Sequence, residues 1–445
     1  MTRPRGYCWG PTARDVQFAQ GVLRSVITGV VVDFEWSWIQ PSNPAALDPA
    51  AVAQVHAWLD WCETNTGVTG KPLQVHLRPR VGLYAPDFVR QAAGTMRWWF
   101  NDGQANFPAG TTGTPAPSGA PNSFEFIGYA GRPHSGGMPR WWMPSYESAL
   151  ASLYTLLWQE FGARTIVVEI DYGWASTHYM EPCLKQWAIQ DNLKSAITDQ
   201  PVGEKWTEAR DDDLFTAGWT HAMSTWGTTR HAIFTSYNPC GQIQVDATTY
   251  SGIRHRPDKN IARTIRLMEK QLSLCGGLTL WANESFVNPW ATASGGEQVA
   301  MYQRMIDGRQ AVSPVANALQ TETDKKIDDK NTASSGVTNV VDTIREAAKI
   351  MRSVRVEIPI NCQTFDPAHP NNYFTPAIAA EVAPLFWENL DGLTGPEPPT
   401  VTEWTEEDHA RAAWAWLRAN CAPSTWEKFA ASVAVRCPEV KTWPA

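Results

Sequence analysis

Apolar and polar positions follow two alternating patterns along this chain. Runs that are continuously apolar or alternate every second residue fit strands. They fall near residues 5–9 (RGYCW), 28–36, 73–78 (LQVHLR), 165–171, 231–237 (HAIFTSY), 278–284 (LTLWANE), 314–321 (PVANALQT) and 355–361 (RVEIPIN). Between them the spacing becomes that of amphipathic helices. Val52, Val55, Leu59 and Cys62 make one apolar stripe, and Leu150, Leu153 and Leu157 another. Further helices are predicted over 12–24, 208–226, 259–274, 297–307, 341–352 and 376–389. This alternation predicts an α/β fold, a (β/α)8 TIM barrel over residues 1–394 with its functional residues at the C-terminal strand ends. An open doubly wound sheet is the alternative, and its G-x-G-x-x-G fingerprint is absent.

Two segments break the pattern. Residues 100–140 are rich in Gly, Pro, Ser and Asn (NFPAGTTGTPAPSGAPNS) and read as a long loop insertion after the third strand, either reaching over the barrel mouth or packing without a role in binding. Residues 322–336 (ETDKKIDDKNTASSG) read as a solvated surface loop. GPEPPT at 395–400 has the composition of a stiff linker. It leads to a small C-terminal appendage over 401–445, read as a helical hairpin with Thr405 and Asp408 spaced as a capping box.

Two of the apolar runs carry acids. TIVVEIDYGWAS places Glu169 and Asp171 two apart, and VVVDFEWSWIQP does the same with Asp33 and Glu35. Side chains alternate across a strand, so each pair shares one face. A charge buried in a sheet is costly unless paired or used, so both strands push acids toward one place. Glycosidic bond cleavage needs two carboxyl groups, one protonated and one ionised. Asp171 after the fourth strand, Glu284 after the sixth (WANES) and Glu322 past the seventh (LQTET) are the catalytic candidates. Asp33 and Glu35 are candidates for binding sugar hydroxyls or for tuning a neighbour's pKa, and Arg78 is a candidate for binding substrate. Acids at strand ends also pair with Arg or cap helices, the competing explanation for each.

Composition narrows the partners. A net charge of −8 without a basic stripe argues against nucleic acid. The opening MTRPRGYCWGPTARD lacks the apolar core of a signal peptide, and no run is long enough to span a bilayer, so a soluble protein without membrane insertion is expected. The eight cysteines and nine histidines are scattered without metal-ligand spacing. No metal and no cofactor is expected, and free thiols are favoured over a bridge such as Cys421 to Cys437. DDD at 211–213 lacks EF-hand spacing and reads as the acidic first turn of a helix. Phosphate-loop, nucleophile-elbow and deaminase motifs are missing. The 23 tryptophans are the unusual count. Most should fill the core, but the pairs Trp36 with Trp38, Trp98 with Trp99 and Trp141 with Trp142 suggest flat faces for sugar rings. Trp36, Trp38, Tyr172, Trp174 and Trp281 are the sugar-platform candidates.

FEWSWIQPSNPAALDPAAVAQVHAWLDWC followed by LQVHLRPRVGLYAPDF resembles the second and third barrel units of clan A glycoside hydrolases, especially the beta-galactosidase families. PRWWMPSYESALASLYTLLWQEFGARTIVVEIDYGWAS resembles the helix leading into their fourth strand and that strand itself. The resemblance covers residues 28–175 in motifs and 5–390 in layout. It implies a general acid/base at Asp171, where the family has Asn-Glu and this chain has Ile170-Asp171. It also implies a nucleophile at the end of the seventh strand, where Gln320, Thr321 and Glu322 stand. Composition and layout are similar to those of minor tail proteins of phages infecting high-GC Gram-positive bacteria. That likeness implies a virion location, a host envelope polysaccharide as partner, and contact with other tail proteins through the C-terminal helices; without it, a cytoplasmic location is expected. The expected function is binding and hydrolysis of such a glycan. A non-catalytic receptor-binding or structural module on a retired hydrolase barrel is the alternative.

Overall fold

The computed structural model describes residues 5–9, 21–100, 111–115, 124–129, 137–174, 192, 194–238, 261–286, 297–311, 313–321, 340–359 and 375–382. The chain divides into Met1–Glu388 and Asn389–Ala445. The second unit lies outside the described residues, as do the expected linker 395–400, the helical hairpin 401–445, Cys421, Cys437 and the loop 322–336.

Eight parallel strands close into a barrel: β1 (Arg5–Trp9), β2 (Gly29–Glu35), β3 (Gln74–Arg80), β4 (Val167–Asp171), β5 (Ala232–Ser236), β6 (Thr279–Phe286), β7 (Ala316–Thr321) and β8 (Arg355–Pro359). Each pairs with its sequence neighbours and β1 closes the ring against β8. The helices that flank the strands among the described residues include α1 (Pro49–Thr64), α2 (Pro144–Phe161), α3 (Glu208–Ser224), α4 (Ile261–Cys275), α5 (Glu297–Gln310), α6 (Val340–Lys349) and α7 (Pro376–Val382). With this alternation the fold is a (β/α)8 barrel, as the sequence periodicity predicts.

Local chemistry explains where the elements begin. Asp48 accepts hydrogen bonds from the backbone N–H groups of Ala50 and Ala51, both at 2.9 Å, and Pro49 opens α1 where no intrahelical donor is needed. Asp48→Ala should cost about 1 kcal/mol. A urea melt within a few tenths of wild type would show that the cap carries no such weight.

The outward residues of the strands, among them Val30, Val32, Val75, Leu77, Ile170, Trp281 and Val356, join the helices in one continuous core. On α3, Gly218 gives the room that Trp174 occupies. A Cβ there would sit 1.6 Å from Cζ3 and 1.8 Å from Cη2 of that indole. Gly218→Ala must therefore push helix and ring apart, an overpacking cost of about 1–3 kcal/mol. Unchanged stability in thermal melts would mean that Trp174 has somewhere else to go.

The segment 100–140 is more structured than its composition predicts. Trp99–Phe100, Phe124–Tyr129 and Thr111–Pro115 make a three-stranded antiparallel sheet, and Thr95–Met96 pairs with Met138–Pro139. Short antiparallel strands need frequent turns, so their Gly and Pro punctuation resembles that of a loop. Residues 101–110, 116–123 and 130–136 within it lie outside the described residues.

The acidic run 211–213 sits early in α3, where Asp211 and Asp212 pair with Arg263 at 2.7 and 2.6 Å. Cys8, Cys62 and Cys275 are buried free thiols. No helix among the described residues is long and apolar enough to cross a membrane.

Candidate active site

Strand alternation sends Asp33 and Glu35, Glu169 and Asp171, and Glu284 into the barrel. It sends in their partners too: His76, Arg78 and Arg80 from β3, Gln320 from β7, and Arg355 and Glu357 from β8. The barrel is therefore crossed by ion pairs on the side of β2, β3, β4 and β8, where branched apolar residues usually fill such a centre. The opposite side is apolar and small: Phe234, Leu280, Ala282 and Ala318 form a separate cluster. These alanines leave the cross-section open for long arginine side chains. The Phe234 ring separates the two halves, with the Arg355 and Arg78 guanidiniums 4.8 and 5.3 Å from its centroid.

Arg78 is the hub. Its Nη2 donates to both carboxylate oxygens of Glu357 at 2.7 and 3.0 Å, and its Nη1 to Gln320 Oε1 at 2.9 Å. Asp171 Oδ2 lies 3.4 Å from Arg78 Nε, and Glu284 Oε1 lies 3.4 Å from Nη2. The acids of two strand ends thus converge on one guanidinium. Burial opposes the charge of Arg78, but Glu357, Glu284 and Asp171 outweigh it and keep the group protonated.

Below the hub, Arg355 pairs with Glu169, with Glu357 at 2.6 Å, and approaches His76 Nδ1 at 2.7 Å. Burial first, and then Arg355, push His76 down to about 3, so the ring is neutral. Above the hub, Arg80 grips Asp33 with Nε and Nη2, the shortest contact being 2.6 Å. Glu35, Arg80 and Gln320 are half-buried at the mouth.

Asp171 has the environment of a general acid. Its side chain is fully buried and neither carboxyl oxygen has a hydrogen-bond partner among the described residues. Burial, and then the neighbouring charge of Glu284, push its carboxyl well above the ordinary range, against the pull of Arg78. Glu357 shows the reverse balance: burial works to raise it, yet Arg78 and Arg355 bring it below the ordinary value, so it is ionised.

Of the residues expected from sequence, Asp171, Glu284, Arg78 and Asp33 come together in the barrel, with Glu35 at its rim. Glu322 lies outside the described residues. Gln320 faces inward on β7, and Thr321 turns outward into the helix layer.

The aromatic platforms require correction. Trp36, Tyr172, Trp174 and Trp281 are buried between barrel and helices and do not line the mouth. Trp36 donates to Gln40 Oε1 at 2.8 Å, and Trp281 to the Met268 carbonyl of α4 at 3.1 Å. Tyr172 stacks on Tyr154 of α2 at 3.8 Å, and Trp174 packs edge-on against Trp219 of α3. Trp38, partly buried, stacks on Trp58 of α1 at 5.6 Å. The alternation that turns the acids inward forces their aromatic neighbours outward. Trp98, Trp99, Trp141 and Trp142 are buried as well. Trp141 donates to Asp211, and Trp142 to the Glu204 carbonyl, both at 2.8 Å.

Sequence reading did not single out His76, Arg80, Arg355 or Glu357. The signal was present in HLRPR and RVE, where charged residues recur two apart just as in the acidic strands.

No family model matches the chain. No curated protein matches it either. Among solved structures it is similar to a GH5_18 protein from Bifidobacterium longum subsp. infantis, with 13% identity and a TM-score of 0.44 over 86% of this chain and 79% of that one. It is also similar to the catalytic domain of a beta-amylase from Paenibacillus polymyxa, with 10% identity and a TM-score of 0.41 over 85% of this chain and 96% of that one. A third is a Bacteroidetes-affiliated GH5 cellulase, with 11% identity and a TM-score of 0.37 over 87% and 92% of the two chains.

Proposed function

We propose that the C-terminal mouth of this barrel takes a glycan and hydrolyses it. Asp171 serves as the general acid and Glu284 as the ionised partner. The observation that carries this reading is the shared hold of Arg78 on the two carboxyl groups, at 3.4 Å each, with Asp171 buried and favouring its proton. One protonated and one ionised carboxyl group on different strand ends is the equipment that glycoside cleavage requires. Glu35, Arg80 and Gln320 at the mouth offer acceptors and donors to sugar hydroxyls. The resemblance to phage minor tail proteins makes a bacterial envelope polysaccharide the glycan, and residues 401–445 the segment that meets other tail proteins.

A second reading, binding without turnover, is favoured by Gln320. An amide occupies the inward position of β7, held by Arg78 and donating to the Glu284 carbonyl at 3.3 Å. Amides make poor nucleophiles. The test is hydrolysis of bacterial envelope glycans and chromogenic glycosides by wild type and Asp171→Asn, with binding recorded on the same samples. Turnover lost in the variant while binding persists supports the hydrolase. Binding without turnover in both proteins favours the second reading, and no binding by wild type removes both.

A further inference from the structure

The geometry points to Glu357 as a positioning residue: by taking the bidentate hold on Arg78, it keeps that guanidinium from closing on Asp171 and Glu284. The inference rests on the reading of Asp171 as the acid and adds what keeps the proton there.

The distances divide the contacts of Arg78 into two classes. Those to Glu357, at 2.7 and 3.0 Å, and to Gln320, at 2.9 Å, are full hydrogen bonds. Those to Asp171 and Glu284, both at 3.4 Å, are longer than a charge-assisted bond, which runs at about 2.7–2.9 Å. Arg78 cannot shorten the second class without giving up the first. Glu357 is itself immobilised, because Arg355 Nη2 donates to the same Oε1 at 2.6 Å and the side chain is buried. Arg355 is in turn fixed by Glu169 and by the Tyr7 ring, whose centroid is 5.1 Å from its guanidinium carbon. The result is a chain of supports from the barrel floor to the acid, with Glu357 at its centre.

The other groups around Asp171 do not replace this control. His76 Nε2 is 4.0 Å from Asp171 Oδ2 and its ring is neutral. Glu169 is engaged by Arg355, and Asp33 by Arg80. β5 and β7 bring Phe234, Ser236 and Gln320, none of them charged. From α2, Tyr154 donates its hydroxyl to the Asp171 carbonyl at 2.7 Å, which anchors the backbone and leaves the carboxyl alone. Neutralising Glu357 therefore frees Arg78 to move onto Asp171, where a close opposite charge favours ionisation.

The test is a carbon-13 NMR titration of the Asp171 carboxyl in the intact protein without substrate, with the resonance assigned by its loss in Asp171→Asn. In Glu357→Gln the midpoint should fall by about 1 pH unit or more, from the loss of the Glu357 charge together with an opposite charge brought into contact. Glu357→Asp, which keeps the charge, should restore most of the wild-type midpoint. A folded Glu357→Gln whose midpoint stays or rises overturns the proposal, even if its stability drops. A fall there also follows from losing the Glu357 charge, which itself raises the Asp171 carboxyl, so the deciding variant is one that removes no charge. Gln320→Ala is that variant: it releases Arg78 from the half-exposed side without changing the charge around Asp171. The same downward shift, smaller in size, is then expected, and an unmoved midpoint overturns the proposal. Absence of turnover in wild type would remove the hydrolase reading while leaving this titration result intact.

Discussion

Arg355→Met should be the most destabilising single substitution proposed for this barrel, costing about 3–5 kcal/mol. The guanidinium is fully buried and serves two carboxylates at once, Glu169 and Glu357, with His76 Nδ1 at 2.7 Å. Methionine can fill much of the volume between the Tyr7 and Phe234 rings, but it takes the guanidinium away from both Glu169 and Glu357. A buried carboxylate that loses its guanidinium must either stay ionised with less compensation or take up a proton, and both lower the stability of the fold. The same argument predicts non-additivity. Adding Glu169→Leu removes the stranded charge, so the double variant should regain part of what Arg355→Met lost. Urea unfolding of the four proteins in this cycle is the check. A loss under about 1 kcal/mol for Arg355→Met would mean that water or a rearranged Arg78 already solvates the pair.

The fold was legible because its outward faces obey ordinary rules. Val30 and Val32, or Val356 and Ile358, pack under helices, and each apolar run has the length of a barrel strand. Even RGYCW, the shortest run, proved to be β1, pairing with RVEIP in parallel. The insertion was not legible, because turn-forming residues look alike whether they join short strands or make a loop. Its strand FEFIGY carries the alternation that marks it.

At the site, the acids were legible and their cost was not. Two charges spaced two apart in an apolar run say that something inside the barrel needs them. They do not say whether that is a substrate or an arginine on the next strand or across the barrel. Asp33 turned out to be gripped by Arg80, and Glu169 by Arg355, whereas Asp171 kept both oxygens free of hydrogen bonds among the described residues. The Asp33–Arg80 pair joins adjacent strands, whereas the Glu169–Arg355 pair is set by barrel closure, which brings β8 next to β1 and sends Arg355 and Glu357 across to meet β4 and β3. The tryptophans misled for a related reason: an indole beside a strand-end acid faces the opposite way, and only the helix layer there could receive it.

Asp171→Asn should move activity and stability in opposite directions. Under the proposed role, loss of the general acid removes about 10²–10⁴-fold of the rate, and an amide of the same shape cannot donate the proton. Stability follows from linkage. Burial and Glu284 raise the Asp171 carboxyl well above its ordinary value in the folded protein, so the native state holds a proton that the unfolded chain has already released. Where the native state binds more protons, stability falls as pH rises. Wild type therefore loses stability as the pH climbs past 3.8, the ordinary aspartate value, and the loss continues until the folded carboxyl itself ionises. Asparagine is neutral throughout and escapes this loss. Its oxygen can face Arg78 and its amide can donate toward Glu284. The variant should melt higher than wild type at neutral pH, with a gap that narrows on acidification and closes near pH 4. Melting curves from pH 4 to 8 on both proteins measure it. A gap independent of pH would mean that the native carboxyl titrates like that of the unfolded chain, and would remove the reason for assigning Asp171 as the acid. A widening gap with unchanged hydrolysis would leave the buried proton in place and transfer the chemistry to another group.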